Sequence, residues 1–165
     1  CLAMQPFERH ELAALFEDVD PRERHLPEVD CVDWGVLDYL GWLHPAGHLG
    51  YLVMRLDGEA VGLVLRRATY PGNSRRMHMC AWCHTLHRAG GVAMFSRYVD
   101  GSDGRRSIGL NVCSALDCSL RLRNLTGDPR LVMPETIDLQ RKILRLEQSV
   151  ARYVRRVRPK SRGRI

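Results

Sequence analysis

The sequence predicts an α+β fold in which antiparallel hairpins are closed by one long helix. Three observations predict it. Residues 50–67 and 91–112 each read as a hairpin, and residues 134–157 carry an apolar stripe at helical spacing. Between and just after the hairpins, four of the six cysteines fall in two close pairs, Cys80 with Cys83 and Cys113 with Cys118.

The paired cysteines give the fold its centre. Cys80-Ala81-Trp82-Cys83 has the C-x2-C spacing with which two thiolates at a tight turn grip one cation. Cys113 and Cys118 have C-x4-C spacing and sit where a strand pattern gives way to a helix pattern. Four thiolates in two local pairs suit one tetrahedral, structural zinc ion. Ser114 and Asp117 form an S-x-x-D capping box, which predicts a helix with Ser114 as N-cap, Cys113 at N′ and Cys118 at N4. Those two positions face each other across a helix start, where the helix terminus also favours thiolates. A knuckle, a hairpin and a helix supplying the last two ligands make a treble clef. A zinc ribbon is the alternative, but it wants a second C-x2-C knuckle. His84 and His87 lie close enough to replace a cysteine, although four thiolates already saturate zinc. A disulfide framework would need an oxidising compartment, and no secretory leader is expected ahead of the chain. Cys1 and Cys31 have no partner spacing.

The predicted elements follow in order. Residues 7–18 read as a short amphipathic helix with Leu12, Leu15 and Phe16 on one face, and Pro21 and Pro27 punctuate the loop after it. Asp33 to Trp42 reads as a second short helix whose aromatics anchor the core. Tyr51–Leu56 and Ala60–Leu65 are strands joined at Asp57-Gly58, both apolar on both faces, which predicts a sheet covered on each side. Pro71 to Ser74 loop to Arg75, Arg76 and the knuckle. Gly91–Val99 and Ser107–Val112 form the second hairpin around Gly101–Arg106, delivering Cys113 to the metal. A short helix follows, broken by Gly127-Asp128-Pro129. Pro134 then opens a helix of ~24 residues, with Leu139, Ile143, Leu146, Val150, Tyr153 and Val157 forming one stripe against the zinc domain or the N-terminal helices. The expected divisions are a short helical N-terminal segment over 1–48, the treble-clef domain with its C-terminal helix over 49–158, and a basic, disordered tail over 159–165. In full, the prediction is a small zinc-stabilised treble clef with antiparallel hairpins, short N-terminal helices and a long C-terminal helix.

Charge is unevenly spread along the 165 residues. Residues 1–70 carry six Lys/Arg against twelve Asp/Glu, whereas residues 71–165 carry nineteen against seven. The half with the cysteines is therefore basic, which predicts an acidic protein surface or a nucleic acid as partner. No apolar run approaches the ~20 residues needed to cross a membrane, so a cytoplasmic protein with reduced, metal-bound cysteines is expected.

The chain resembles the elongation factor G-binding proteins of the fusidic-acid-resistance type, and above all their C-terminal treble-clef zinc-finger domain. Leu40-Gly41-Trp42 ahead of the Gly50–Val53 strand carries the resemblance, with Met79 to Cys83, Gly91 to Phe95, Cys113 to Leu120 and Met133 to Thr136. These segments lie within residues 33–155. The resemblance implies a protein that binds elongation factor G through its zinc finger and helps release that factor from a stalled ribosome, with Cys80, Cys83, Cys113 and Cys118 as zinc ligands. The resistance proteins have a longer helical N-terminal domain, whereas only about 48 residues precede the first hairpin here.

Two partner classes follow. The first is a protein of the translation machinery, and the second is ribosomal RNA, both met by Arg75, Arg76, Arg121, Arg123 and the tail. An enzyme is not expected. A site with four cysteine ligands has no open coordination position, no nucleophile–base pair stands out, and Gly101-Ser102-Asp103-Gly104 is a turn and not a phosphate loop.

Overall fold

The computed structural model describes residues 4–69, 76–88, 90–127 and 135–159. Its centre is an antiparallel five-stranded sheet in the order β1-β2-β3-β6-β7, with a separate two-stranded ribbon β4-β5. The strands are β1 (Leu40–Leu43), β2 (Leu49–Leu56), β3 (Glu59–Thr69), β4 (His78–Met79), β5 (Leu86–His87), β6 (Val92–Tyr98) and β7 (Ser107–Cys113). Three helices accompany them: α1 (Arg9–Leu15), α2 (Cys118–Leu122) and α3 (Leu139–Val157).

The β2–β3 hairpin forms as its sequence requires. Asp57 and Gly58 both take positive φ, 53° and 81°, which is the two-residue turn whose twist matches that of the flanking strands. Leu56 pairs with Glu59 and Leu49 with Arg66. Because side chains alternate along a strand, β2 buries two separate sets. Leu52 and Met54 join the core beneath α3, while Leu49, Tyr51 and Val53 join a second core with Phe7, Leu12 and Phe16 of the N-terminal segment. The sheet is thus covered on both faces at β2, as two apolar faces demanded. Trp42 stacks on Tyr51, and Phe16 meets both rings edge-on.

Asp33 to Trp42 is not a helix. A single 3-10 turn covers Trp34–Val36, and Leu40–Leu43 is strand β1, paired antiparallel with β2. Gly41 explains the choice, because a Cβ there would stand 2.6 Å from Leu116 Cβ. That close approach of the backbone to the second knuckle is available to a strand and outweighs local helical patterning. The sheet therefore starts inside the segment assigned to the N-terminal helices.

The long helix also starts later than its sequence suggested. Asp138 caps it by accepting from the Arg141 N–H at 2.9 Å, and it runs for 19 residues, about 28 Å. Pro134, the expected opener, lies outside the described residues. The predicted stripe is buried at Ile143, Leu146, Val150, Tyr153 and Val157, while Leu139 is exposed. It packs against the zinc-domain side of the sheet. The Tyr153 hydroxyl donates to the Ile108 carbonyl of β7 at 3.0 Å, and its ring lies 5.7 Å from Trp82. Among the described residues, no helix is long and apolar enough to cross a membrane.

Gly50 marks the tightest point of the sheet, since a Cβ there would meet Phe95 at 2.6 Å and Leu116 at 2.9 Å. Gly50→Ala is expected to destabilise the fold by about 1–3 kcal/mol through overpacking. Gly127→Ala, with nothing within 4 Å, should stay within about 0.5 kcal/mol. Urea denaturation of the two variants checks the difference.

Candidate metal centre

Each cysteine reaches the centre by a different local device. The β4-β5 ribbon pairs His78 with His87 and Met79 with Leu86, which forces the intervening residues into a knuckle. Inside it the His84 N–H donates to the Cys80 carbonyl at 3.0 Å, and His84 takes φ +59°. The backbone N–H groups of Trp82 and Cys83 point at Cys80 Sγ, at 3.4 and 3.5 Å. Cys113 ends β7, and Val92 opposite it holds the register.

Cys118 arrives otherwise than its sequence implied. Ser114 does not cap a helix. The chain makes a turn from Cys113 to Leu116, closed by a 2.9 Å backbone bond and by Leu116 at φ +56°. Asp117 is the N-cap, so Cys118 is the first residue of α2 and not its fourth. A second knuckle supplies this ligand pair, and the capping pattern lost to it because Leu116 must bury its side chain beside Gly41 and Gly50. The short α2 ends with Asn124 at φ +61°, where the Leu125 N–H reaches the Leu120 carbonyl and the Asn124 N–H the Arg121 carbonyl. That is a Schellman motif, and it stops the helix before Gly127.

The four sulfurs converge. All lie within 4.8 Å of one another and all four residues are buried. Cys80 and Cys118 Sγ are 3.7 Å apart, and Cys83 and Cys113 Sγ are 3.5 Å apart. A tetrahedral zinc with Zn–S bonds of about 2.3 Å needs sulfurs about 3.8 Å apart. Disulfide sulfurs sit at about 2.05 Å, so these cysteines are placed for a cation and not for each other. Four thiols so close cannot all ionise alone. A hydrogen bond from Cys113 pulls the Cys83 thiol below its ordinary value, while burial pushes Cys118 up. A divalent cation removes that conflict, and the donor set fits zinc.

The two histidines separate. His84 is exposed. His87 is buried, with Nε2 3.3 Å from Cys113 Sγ, so it touches a ligand and does not replace one. Gly91 makes room for it, since a Cβ there would lie 2.5 Å from the imidazole. Thr85 Oγ1 stands 3.2 Å from Cys83 Sγ. Neither Thr85 nor Gly91 has a role at the metal that could be read from the sequence, beyond their short spacing after Cys83.

The arginines expected at a partner surface divide too. Arg76 is exposed, and Arg75 lies outside the described residues. Arg121 and Arg123 are engaged within the fold. Arg121 Nε bonds Asp117 at 2.9 Å. Arg123 grips Asp38 with both terminal nitrogens, at 2.7 and 2.9 Å, and also bonds the Ser119 carbonyl. The Asp38 side chain is 4% exposed, so this pair ties the start of β1 to α2. From α3, Glu147 faces the same pair. Burial pushes its carboxyl above the usual carboxylate range and the charge of Asp38 adds to this, against the pull of Arg123.

Metal analysis is expected to give one zinc per chain, lost on Cys118→Ser. A carboxyl whose pKa is higher folded than unfolded stabilises the fold while protonated, and that contribution is lost as pH rises through the folded value. Glu147→Gln should therefore raise the thermal midpoint at pH 7 and leave it unchanged below about pH 4, where the unfolded carboxyl is also protonated. Paired thermal melts at the two pH values test the sign.

The chain matches the family described as FBP C-terminal treble-clef zinc-finger over residues 16–157. No curated protein matches it. Among solved structures it is similar to the fusidic acid resistance protein FusC, at 13% identity and a TM-score of 0.59. The match covers 94% of this chain and 60% of that one, so the chain spans about three-fifths of FusC. At this identity the likeness speaks for the fold.

Proposed function

Because the chain belongs to the FBP C-terminal treble-clef zinc-finger family, we propose that it is a protein-binding module that takes elongation factor G as its partner and acts on the ribosome-associated factor. The partner's identity rests on the sequence resemblance. The likeness to the fold of FusC, a fusidic acid resistance protein, is in keeping with it. The role places the protein in the cytoplasm. No reaction is assigned, because zinc held by four thiolates has no open coordination position.

The observation that carries the reading is a half-bare sheet. The N-terminal segment covers β2 and the near part of β3. Farther along the same face, Arg66 pairs with Ser96, flanked on β6 by Met94 and Tyr98. Met94 is 41% and Tyr98 49% exposed, and the Arg66 guanidinium stands over the Tyr98 ring. From residue 60 to 99 the chain has six arginines and no Asp or Glu. An apolar centre with an adaptable methionine in a basic setting suits an acidic protein surface.

The same run without carboxylates favours ribosomal RNA as the second reading, through Arg66, Arg76 and the basic tail. Among the described residues a single aromatic, Tyr98, stands on the bare face, which argues against it, since single strands are held by several stacking rings.

Calorimetric titration of purified elongation factor G into nucleic-acid-free protein decides. Binding tighter than tens of micromolar, about −6 to −7 kcal/mol, is expected. Met94→Asp should weaken it at least tenfold while zinc stays at one per chain. No heat at that concentration rejects this partner and promotes RNA.

A further inference from the structure

Three of the four sulfurs already have an outside hydrogen-bond partner. Cys80 Sγ receives the Trp82 and Cys83 N–H groups, Cys83 Sγ faces the Thr85 hydroxyl, and Cys113 Sγ faces His87 Nε2. Cys118 is left. In the same buried cluster as Cys118 lies Tyr39, whose ring is 2% exposed and stands edge-on to Trp82 at 5.6 Å. The Tyr39 hydroxyl is buried and, among the described residues, has no hydrogen-bond partner within bonding geometry. A buried hydroxyl left so loses its hydration without recompense.

We propose that the Tyr39 hydroxyl is the donor to the Cys118 thiolate of the zinc-loaded site, completing a shell with one donor or more for every sulfur. The inference concerns the metal site and stands whether or not elongation factor G is the partner. Its chemistry is that of charge. Zinc with four thiolates carries two net negative charges in a buried setting. Each donated hydrogen bond spreads that charge, fixes the sulfur's lone pairs and lowers the rate at which a ligand detaches. Tyr39 acts here as a positioning residue. Its own segment is held in place at three points. The Asp38 N–H donates to Ser119 Oγ at 3.0 Å, the Asp38 carboxylate grips Arg123, and Gly41 lies against Leu116. Residues 38–41 clasp the stretch 116–123 that carries the fourth ligand. The metal site thus reaches 41 residues upstream of its first cysteine.

Tyr39→Phe keeps the ring on Trp82 and removes only the donor. It should weaken zinc at least tenfold in competition with a chromogenic chelator and speed zinc release. In the cobalt-substituted protein its thiolate-to-metal charge-transfer band should move to lower energy, because the sulfur lone pair is no longer stabilised. Tyr153→Phe, which loses a bond to the Ile108 carbonyl, should leave zinc release and the cobalt band unchanged. Wild-type affinity and an unmoved band in Tyr39→Phe overturn the proposal, as does weaker zinc with an unmoved band, which reports packing alone. Should Tyr39→Phe fail to fold, the wild-type protein loaded with cadmium-113 decides. A through-bond correlation between the metal and the Tyr39 hydroxyl proton supports the proposal, and its absence overturns it.

Discussion

The convergence of four sulfurs on one point constrains everything around it. Two turns must present their cysteines face to face, so β4 and β5 must pair, β7 must end at Cys113 and α2 must begin at Cys118. The knuckle is anchored from several sides. The Ala81 N–H bonds the Asn111 carbonyl of β7 at 2.8 Å. Arg145 of α3 bonds the Cys83 carbonyl at 3.3 Å, with Glu135 holding the same guanidinium. Trp82, between the two cysteines, packs on Tyr39 and Tyr153. The residue inside the knuckle is thus a keystone of the core beneath α3, and metal binding and hydrophobic burial reinforce one another.

Much of this was legible in the sequence because it depends on local rules. Asp57-Gly58 specifies its turn whatever surrounds it, the paired cysteines announce a cation, and the stripe from Ile143 to Val157 needs only the helical period. The misreadings share a different cause. Leu40-Gly41-Trp42 lies in a stretch that reads as a helix, yet its conformation is decided by β2 alongside and Leu116 against Gly41. Ser114 and Asp117 have the capping pattern, yet the turn at Leu116 answers to packing from residues far away in the chain. Arg121 and Arg123 read as displayed charge, and the ion pairs each makes within the fold were invisible in the sequence. Asp117 is four residues from Arg121, but Asp38 is 85 residues from Arg123. Periodicity carries no information at that range.

The acidic first half and basic second half also acquire a meaning inside the molecule. Asp38 meets Arg123 and Asp57 meets Arg155, so some of the opposite charge is spent joining the N-terminal part to the helices. The Asp38 pair is buried and bidentate, so losing either partner strands a charge. The Asp57 pair is half exposed and contributes little.

The strand order has a kinetic meaning. In β1-β2-β3-β6-β7 every neighbour in space is a neighbour along the chain once the knuckle is set aside as an excursion between β3 and β6. Three of the four pairings therefore close short loops, which suits rapid folding, while β3 and β6 close across the knuckle-bearing residues 70–91. The two ligand pairs are 30 residues apart from Cys83 to Cys113, and the β6-β7 hairpin brings the second pair back to the first. The four ligands thereby join the excursion, the end of β7 and the start of α2 to one buried core, so that the metal and the sheet hold the same residues in place.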